Sequence, residues 1–288
     1  LGFIESGVLD LINKNNLDKT ICKEMSLIAE GEYGFYDVIK NRITIPLFSK
    51  NQHIVGLSNR KFLEEDTYAK YVNPANSLIF KKNSYLYGLN WSEQAIKDED
   101  KVIIVEGYFD FMKLYSNGIK NVVAINGTTI MSTQVKDLMK LTNNFYLCLD
   151  SDKAGENSIV RNAKELVKNG CEISIITLEN GEDPDSYIDK YGANAFNSKL
   201  NNAENFLDYI NHQKEKMIPL LEELKDIVSK LSSDVKKQYW IQNIKSYTGI
   251  NIKSSNIKQE YYEKQKEEPI DILDTEFLTL YINATDED

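Results

Sequence analysis

Two stretches decide the fold: Lys101-Val102-Ile103-Ile104-Val105-Glu106-Gly107-Tyr108-Phe109-Asp110 and, further along, Phe145-Tyr146-Leu147-Cys148-Leu149-Asp150-Ser151-Asp152-Lys153-Ala154-Gly155. Each is a short run of β-branched, aliphatic or aromatic residues that stops at a charged, glycine-containing turn. Runs of that length and composition read as buried strands of a parallel sheet. Both strands deliver carboxylates at their C-terminal ends, the edge where ligands bind in open α/β sheets.

Working outward, residues 101–200 alternate strand and helix four times. The units are Val102–Val105 then Phe109–Asn117, Asn121–Ile125 then Ser132–Leu141, Phe145–Leu149 then Gly155–Lys168, and Glu172–Leu178 then Asp185–Lys190. Such alternation predicts a parallel sheet flanked by helices, with Gly118 and Gly170 placed to end helices. Upstream, Arg42–Phe48 and His53–Leu57 read as a hairpin around Ser49–Gln52. Helices are expected at Val8–Asn13 and Lys19–Ile28, with Glu30–Gly34 as a break. From Asn202 the pattern turns helical, at Glu204–Lys216, Pro219–Leu231, Ser233–Tyr247 and Ser254–Gln265. Pro219 and Ser233 suit helix starts. The expected class is therefore α/β, with an α+β N-terminal subdomain over 1–100, the parallel-sheet domain over 101–200, a helical subdomain over 201–268 and an acidic linker and tail over 269–288. Leu1 is not an initiator methionine, so the sequence reads as a piece of a longer protein.

The apolar fraction of 42% and charged fraction of 27% are globular values, ample for a packed core. No apolar run reaches membrane-span length and no signal peptide opens the chain. Cys22, Cys148 and Cys171 are far apart and form no CxxC pair, which predicts reduced thiols and a cytoplasmic protein. Monomer is the default expectation. The net charge of −10 hides a split, because residues 40–90 hold eight Lys or Arg against three Asp or Glu. A local basic field captures phosphates even on an acidic protein, although charge alone is equally an ordinary solvated surface. Between Tyr68 and Leu89, Lys70, Lys81 and Lys82 interleave with Tyr71, Phe80, Tyr85 and Tyr87. That combination suits a groove that tracks a nucleic-acid backbone, while each ring alone suits core packing.

Three acidic clusters fall on the expected strand ends: Glu106 with Asp110, Asp150 with Asp152, and Asp183 with Asp185. A DxD turn alone is usually just solvated. Three clusters on neighbouring strand ends would instead repel one another unless a cation lay between them. An oxygen-only ligand set selects Mg2+ or Mn2+ over zinc, and the combination favours metal-dependent phosphoryl-transfer chemistry. With only His53 and His212, a histidine-based triad has few candidates. No Walker A sequence and no GxGxxG follows any strand. Asn126-Gly127-Thr128-Thr129 reads equally as a phosphate-approaching turn or a simple βα loop.

The order of these motifs resembles the bacterial DnaG-type primases. Val105-Glu106-Gly107-Tyr108 with Asp110, then Asp150–Gly155, then Gly181-Glu182-Asp183-Pro184-Asp185 is similar to their Toprim domain. Arg42-Ile43-Thr44-Ile45-Pro46-Leu47, Ala69-Lys70-Tyr71-Val72-Asn73 and Ile79–Leu89 resemble segments of the family's N-terminal part, as does Arg60 at the end of Ser58-Asn59-Arg60. The chain departs from the family at Ser58-Asn59, at Lys81 and Asn83, and at Ser151, commonly glycine in relatives. The resemblance implies RNA primer synthesis on single-stranded DNA from ribonucleoside triphosphates. It implies Mg2+ or Mn2+ held by Asp150 and Asp152 with Glu106, the last also a candidate acid/base. Asp110, Asp183 and Asp185 would complete the acidic site, and Arg42, Arg60, Lys70 and Lys82 would steer nucleotide phosphates and template. Zinc, and contact with a replicative helicase, are expected only of family domains missing from this chain. Toprim nucleases and topoisomerases share the acidic motifs and form the alternative reading.

Overall fold

The computed structural model describes residues 1–63, 69–151, 153–179 and 181–253, and within them the chain divides after Ala203 into two compact units. The first unit opens with β1 (Gly2–Ile4), α1 (Val8–Lys14) and α2 (Lys19–Glu24), and then the hairpin β2 (Ile28–Gly31) and β3 (Gly34–Asp37). The sequence pattern predicts a helix to Ile28 and a break at Glu30–Gly34, and the structure corrects both. Ser26, at φ +60, turns the chain out of α2, and Gly34, at φ +109, supplies the left-handed geometry of a tight hairpin. Asp37 closes the first helix, its carboxylate accepting from Gly7 N at 2.7 Å and Leu9 N at 2.6 Å.

The expected hairpin is present as β4 (Arg42–Phe48) and β5 (Ile54–Lys61), extended by β1 on one side and β6 (Tyr71–Val72) on the other, in the order β1-β4-β5-β6. A single 3-10 turn at Lys82–Ser84 and α3 (Leu89–Glu99) lead into the parallel sheet. Gly88 caps α3 at φ +87, and a Cβ there would lie 2.0 Å from the Phe111 ring, so only glycine fits.

The four βα units are β7 (Val102–Val105), α4 (Tyr108–Ser116), β8 (Val122–Ala124), α5 (Ser132–Leu138), β9 (Asn144–Leu147), α6 (Lys153–Asn169), β10 (Glu172–Ile175) and α7 (Pro184–Asn201). These strands pair in parallel in the order β10-β9-β7-β8. β7 is central, and each of its four side chains is fully buried. Burying a Val or Ile is worth about 1.5–3 kcal/mol against exposure, which is why an unbroken apolar run becomes an interior strand. One core joins Ile45 and Leu47 of β4, Phe80 and Tyr87, and Ile103, Val105, Phe111 and Leu114, so the hairpin sheet and the parallel sheet are packed together. α7 runs beyond the expected Lys190, bending at Gly192 (φ 81, ψ 167).

The second unit contains α8 (Phe206–His212), α9 (Lys214–Ser229) and α10 (Asp234–Thr248). Ser233 caps α10 as expected, accepting from Lys236 N. Pro219, expected at a helix start, lies inside α9. The buried stripe Met217, Leu220, Leu221, Leu224 and Val228 carries the helix across the proline, packing outweighing the lost backbone bond. The helix expected at Ser254–Gln265 and the acidic tail lie outside the described residues.

Candidate active site

The parallel strands end at one edge, and the chain leaves each through a short loop into a helix. β7 and β9 are neighbours with Ile104 opposite Leu147, which brings Glu106 and Asp150 to adjacent strand ends. Ser151 then brackets the Asp150 turn to the next loop. Its hydroxyl lies 2.6 Å from the Glu179 carbonyl and 2.8 Å from that of Glu182, and it accepts from Glu182 N at 2.9 Å. Ser151 thus holds the Asp150 turn against the one that starts α7. At the far side of the turn a Cβ on Gly155 would lie 1.7 Å from the Asp150 carbonyl, so α6 starts in contact with that backbone.

Asp183 is the N-cap of α7, its Oδ1 accepting from Ser186 N at 2.7 Å. Asp110, only 8% exposed, accepts from Gly107 N at 2.9 Å and Asp185 N at 3.4 Å, tying the start of α4 to the start of α7. Burial, and then the negative charges of Asp183 and Asp150, push its carboxyl up to about 7. The same crowding reaches Cys148, whose thiol is raised by burial and by Asp110, Asp150 and Asp183. Asp110, Asp150 and Asp183 therefore share one electrostatic neighbourhood. The Glu106 carboxylate lies 3.1 Å from the Ser158 hydroxyl. The Asp185 carboxylate is 3.2 Å from Lys113, which also pairs with Asp189 at 2.6 Å. Asp152 lies outside the described residues.

Among the described residues no group of three or more His, Cys, Asp or Glu side chains is close enough to hold a metal ion. The donor chemistry nevertheless fits a hard divalent cation: the groups at this edge are carboxylates, and their mutual repulsion at Asp110 is what a cation relieves.

The basic candidates behave differently from one another. Arg42 is 4% exposed and donates through one guanidinium nitrogen to the Ala69 carbonyl at 3.0 Å, next to Lys70. Arg60 stacks over the Phe109 ring at 4.4 Å. Lys70 and Lys82 are exposed. Phe80 and Tyr87 are buried in the core, Tyr87 meeting Tyr108 edge-on at 4.9 Å. Residues quoted separately in the sequence motifs meet here. A cleft is lined by Asn73, Lys82, Tyr85, Tyr108 and Asn126. Asn73 Oδ1 accepts from Ser58 at 2.6 Å and Tyr108 at 3.1 Å. Asn126 Oδ1 is buried without a partner, an acceptor that a bound donor would satisfy. Asn126, at φ +52, belongs to the turn whose sequence suits a phosphate-approaching or a plain loop equally.

Comparison with known proteins agrees with this geometry. Residues 1–93 match the family described as DNA primase catalytic core, N-terminal domain, and residues 103–188 match the Toprim-like family. The DNA primase of Staphylococcus aureus is 30% identical over 253 residues, which is 84% of this chain and 42% of the relative. The chain thus spans about two-fifths of that protein's length. A DNA primase domain from Pseudomonas aeruginosa superposes with a TM-score of 0.77 at 26% identity, over 91% of this chain and 86% of that one. A DnaG primase catalytic domain solved bound to single-stranded DNA superposes with a TM-score of 0.74 at 25% identity, over 87% and 83%. With its motifs in family order, its acidic strand ends at one sheet edge and its backbone superposing on these cores, the chain belongs to the DnaG-type DNA primases and carries their catalytic-core fold.

Proposed function

We propose that this chain joins ribonucleotides into a short RNA primer on a single-stranded DNA template. The observation that carries the reading is the gathering of Asp110, Asp150 and Asp183 beside the strand end that bears Glu106. Asp150 and Asp152, with Glu106, would hold Mg2+ or Mn2+, and Asp110, Asp183 and Asp185 would add charge around them. A divalent ion there supplies Lewis-acid charge neutralisation at the reacting phosphate. In the transfer, the 3′-hydroxyl oxygen attacks the α-phosphorus of the incoming ribonucleoside triphosphate and the bond to pyrophosphate breaks. Glu106, as acid/base, takes the hydroxyl proton. Lys70, Lys82 and Arg60 would attract triphosphate and template phosphates. Arg42 would act on them through the backbone it holds beside Lys70. The relative solved with single-stranded DNA supports that choice of template.

The test is oligoribonucleotide synthesis on single-stranded DNA with Mg2+ or Mn2+ titrated, comparing the chain with Asp150→Ala. Product should appear only with metal and vanish in the variant. Retained synthesis in Asp150→Ala sinks the metal assignment, and DNA cleavage without nucleoside triphosphates would indicate a nuclease instead.

A further inference from the structure

Two polar side chains occupy the buried face of α6, where an amphipathic helix ordinarily places apolar ones. Ser158 is 4% exposed and Asn162, one helical turn on, is 0% exposed. Groups buried this deeply persist only with partners, and theirs include the loops that leave β7 and β8. Ser158 Oγ is 3.1 Å from Glu106 Oε1 and 3.0 Å from the Thr128 carbonyl. Asn162 Nδ2 donates to that same carbonyl at 3.0 Å, to the Ser158 carbonyl at 2.8 Å and toward Ser158 Oγ at 3.3 Å. Asn162 Oδ1 accepts from Ile130 N at 2.6 Å.

These partners fix the hydrogen-bond directions. Ile130 N–H is a donor, so the amide atom facing it must be oxygen, and Nδ2 must face Thr128 and Ser158. A serine hydroxyl has one proton for two candidate acceptors. The Thr128 carbonyl has a donor in Asn162, and the Glu106 carboxylate, being charged, is the stronger acceptor, so the proton goes to Glu106. The helix concerned is the one whose start is pressed against the Asp150 backbone at Gly155. A single rigid element therefore registers the strand ends of β7 and β9 against each other.

We infer that Ser158 is a positioning residue for Glu106, its hydroxyl aimed by Asn162 and holding the carboxylate in the orientation the transfer requires. The inference rests on the catalytic role proposed above for Glu106. Removing such an outer partner typically costs 10–100-fold in activity or metal affinity, about the effect expected here.

The experiment compares the full chain with Ser158→Ala, Glu106→Gln and the double variant, measuring kcat and nucleotide KM on single-stranded DNA together with thermal unfolding. Ser158→Ala should lose about 10-fold or more in kcat while KM stays within about twofold, because the group acts through Glu106 and not on substrate binding. In the Glu106→Gln background the same change should cost nothing further. A folded Ser158→Ala with unaltered kcat, a loss confined to KM, or full additivity in the double variant each overturns the inference while leaving Glu106 in place. Wild-type kcat in Glu106→Gln removes the catalytic role of Glu106 itself, and the positioning role with it.

Discussion

The acidic edge of the parallel sheet and the basic segment between residues 40 and 90 contribute to one proposed site but are built in opposite ways. At the acidic edge, position is set by strand register: β7 and β9 are paired neighbours, so the loops leaving their C-terminal ends must meet. In the basic segment, position is set by packing. Arg42 is buried against the Ala69 carbonyl, Arg60 lies on Phe109, and Phe80 and Tyr87 fill the core, leaving Lys70 and Lys82 exposed. The difference teaches that charge just beyond the end of a parallel strand is located by the sheet, whereas charge elsewhere, even within β4 and β5, is located by what it packs against.

The largest effect should come from the acidic edge. Asp150→Asn, which keeps the shape and removes the charge, should lower primer synthesis by about 10²–10⁴-fold, the range for losing a group that acts in the transition state. Near-normal synthesis would mean that strand register did not place a working group. The next effect is steric. Gly155→Ala should destabilise the fold by about 1–3 kcal/mol, read by urea unfolding, because its Cβ cannot coexist with the Asp150 carbonyl.

A pH test sharpens the contrast further, since burial and then the neighbouring carboxylates act on Asp110 at the acidic edge. Asp110 is raised from an ordinary 3.8 to about 7, so between those values the folded protein binds more protons than the unfolded one. Its contribution is fully present below pH 3.8 and is lost as pH rises through 7. At about 1.4 kcal/mol per unit, up to about 4 kcal/mol is at stake. Without divalent metal, the chain should therefore lose more stability between pH 5 and 8 than Asp110→Asn does. Matching urea-unfolding profiles for the two would show that burial and the neighbouring charges do not raise the carboxyl.

The smallest effect tests the basic side. Lys82→Ala and Lys70→Ala should each leave thermal stability unchanged. Each should reduce the salt dependence of single-strand binding by about 0.7 in the log–log slope, the value for one phosphate contact. An unchanged slope would assign these lysines to ordinary solvated surface.

Much of the architecture is legible in the residues themselves. The apolar runs before Glu106 and Asp150 dictated interior strands, their alternation with helical stretches dictated a parallel sheet, and a parallel sheet puts loop carboxylates on one edge. Those are local and periodic properties, which is why they survive without coordinates. The tertiary structure alone decided what each polar group touches. It spent Phe80 and Tyr87 on packing, paired Asp185 with Lys113, buried Arg42 and let α9 run through Pro219. It also set Ser158 and Asn162, spaced like any two residues of a helix face, against Glu106 and the Thr128 loop. Hydrogen bonds between residues dozens of positions apart depend on how elements pack, and no period in the chain encodes that.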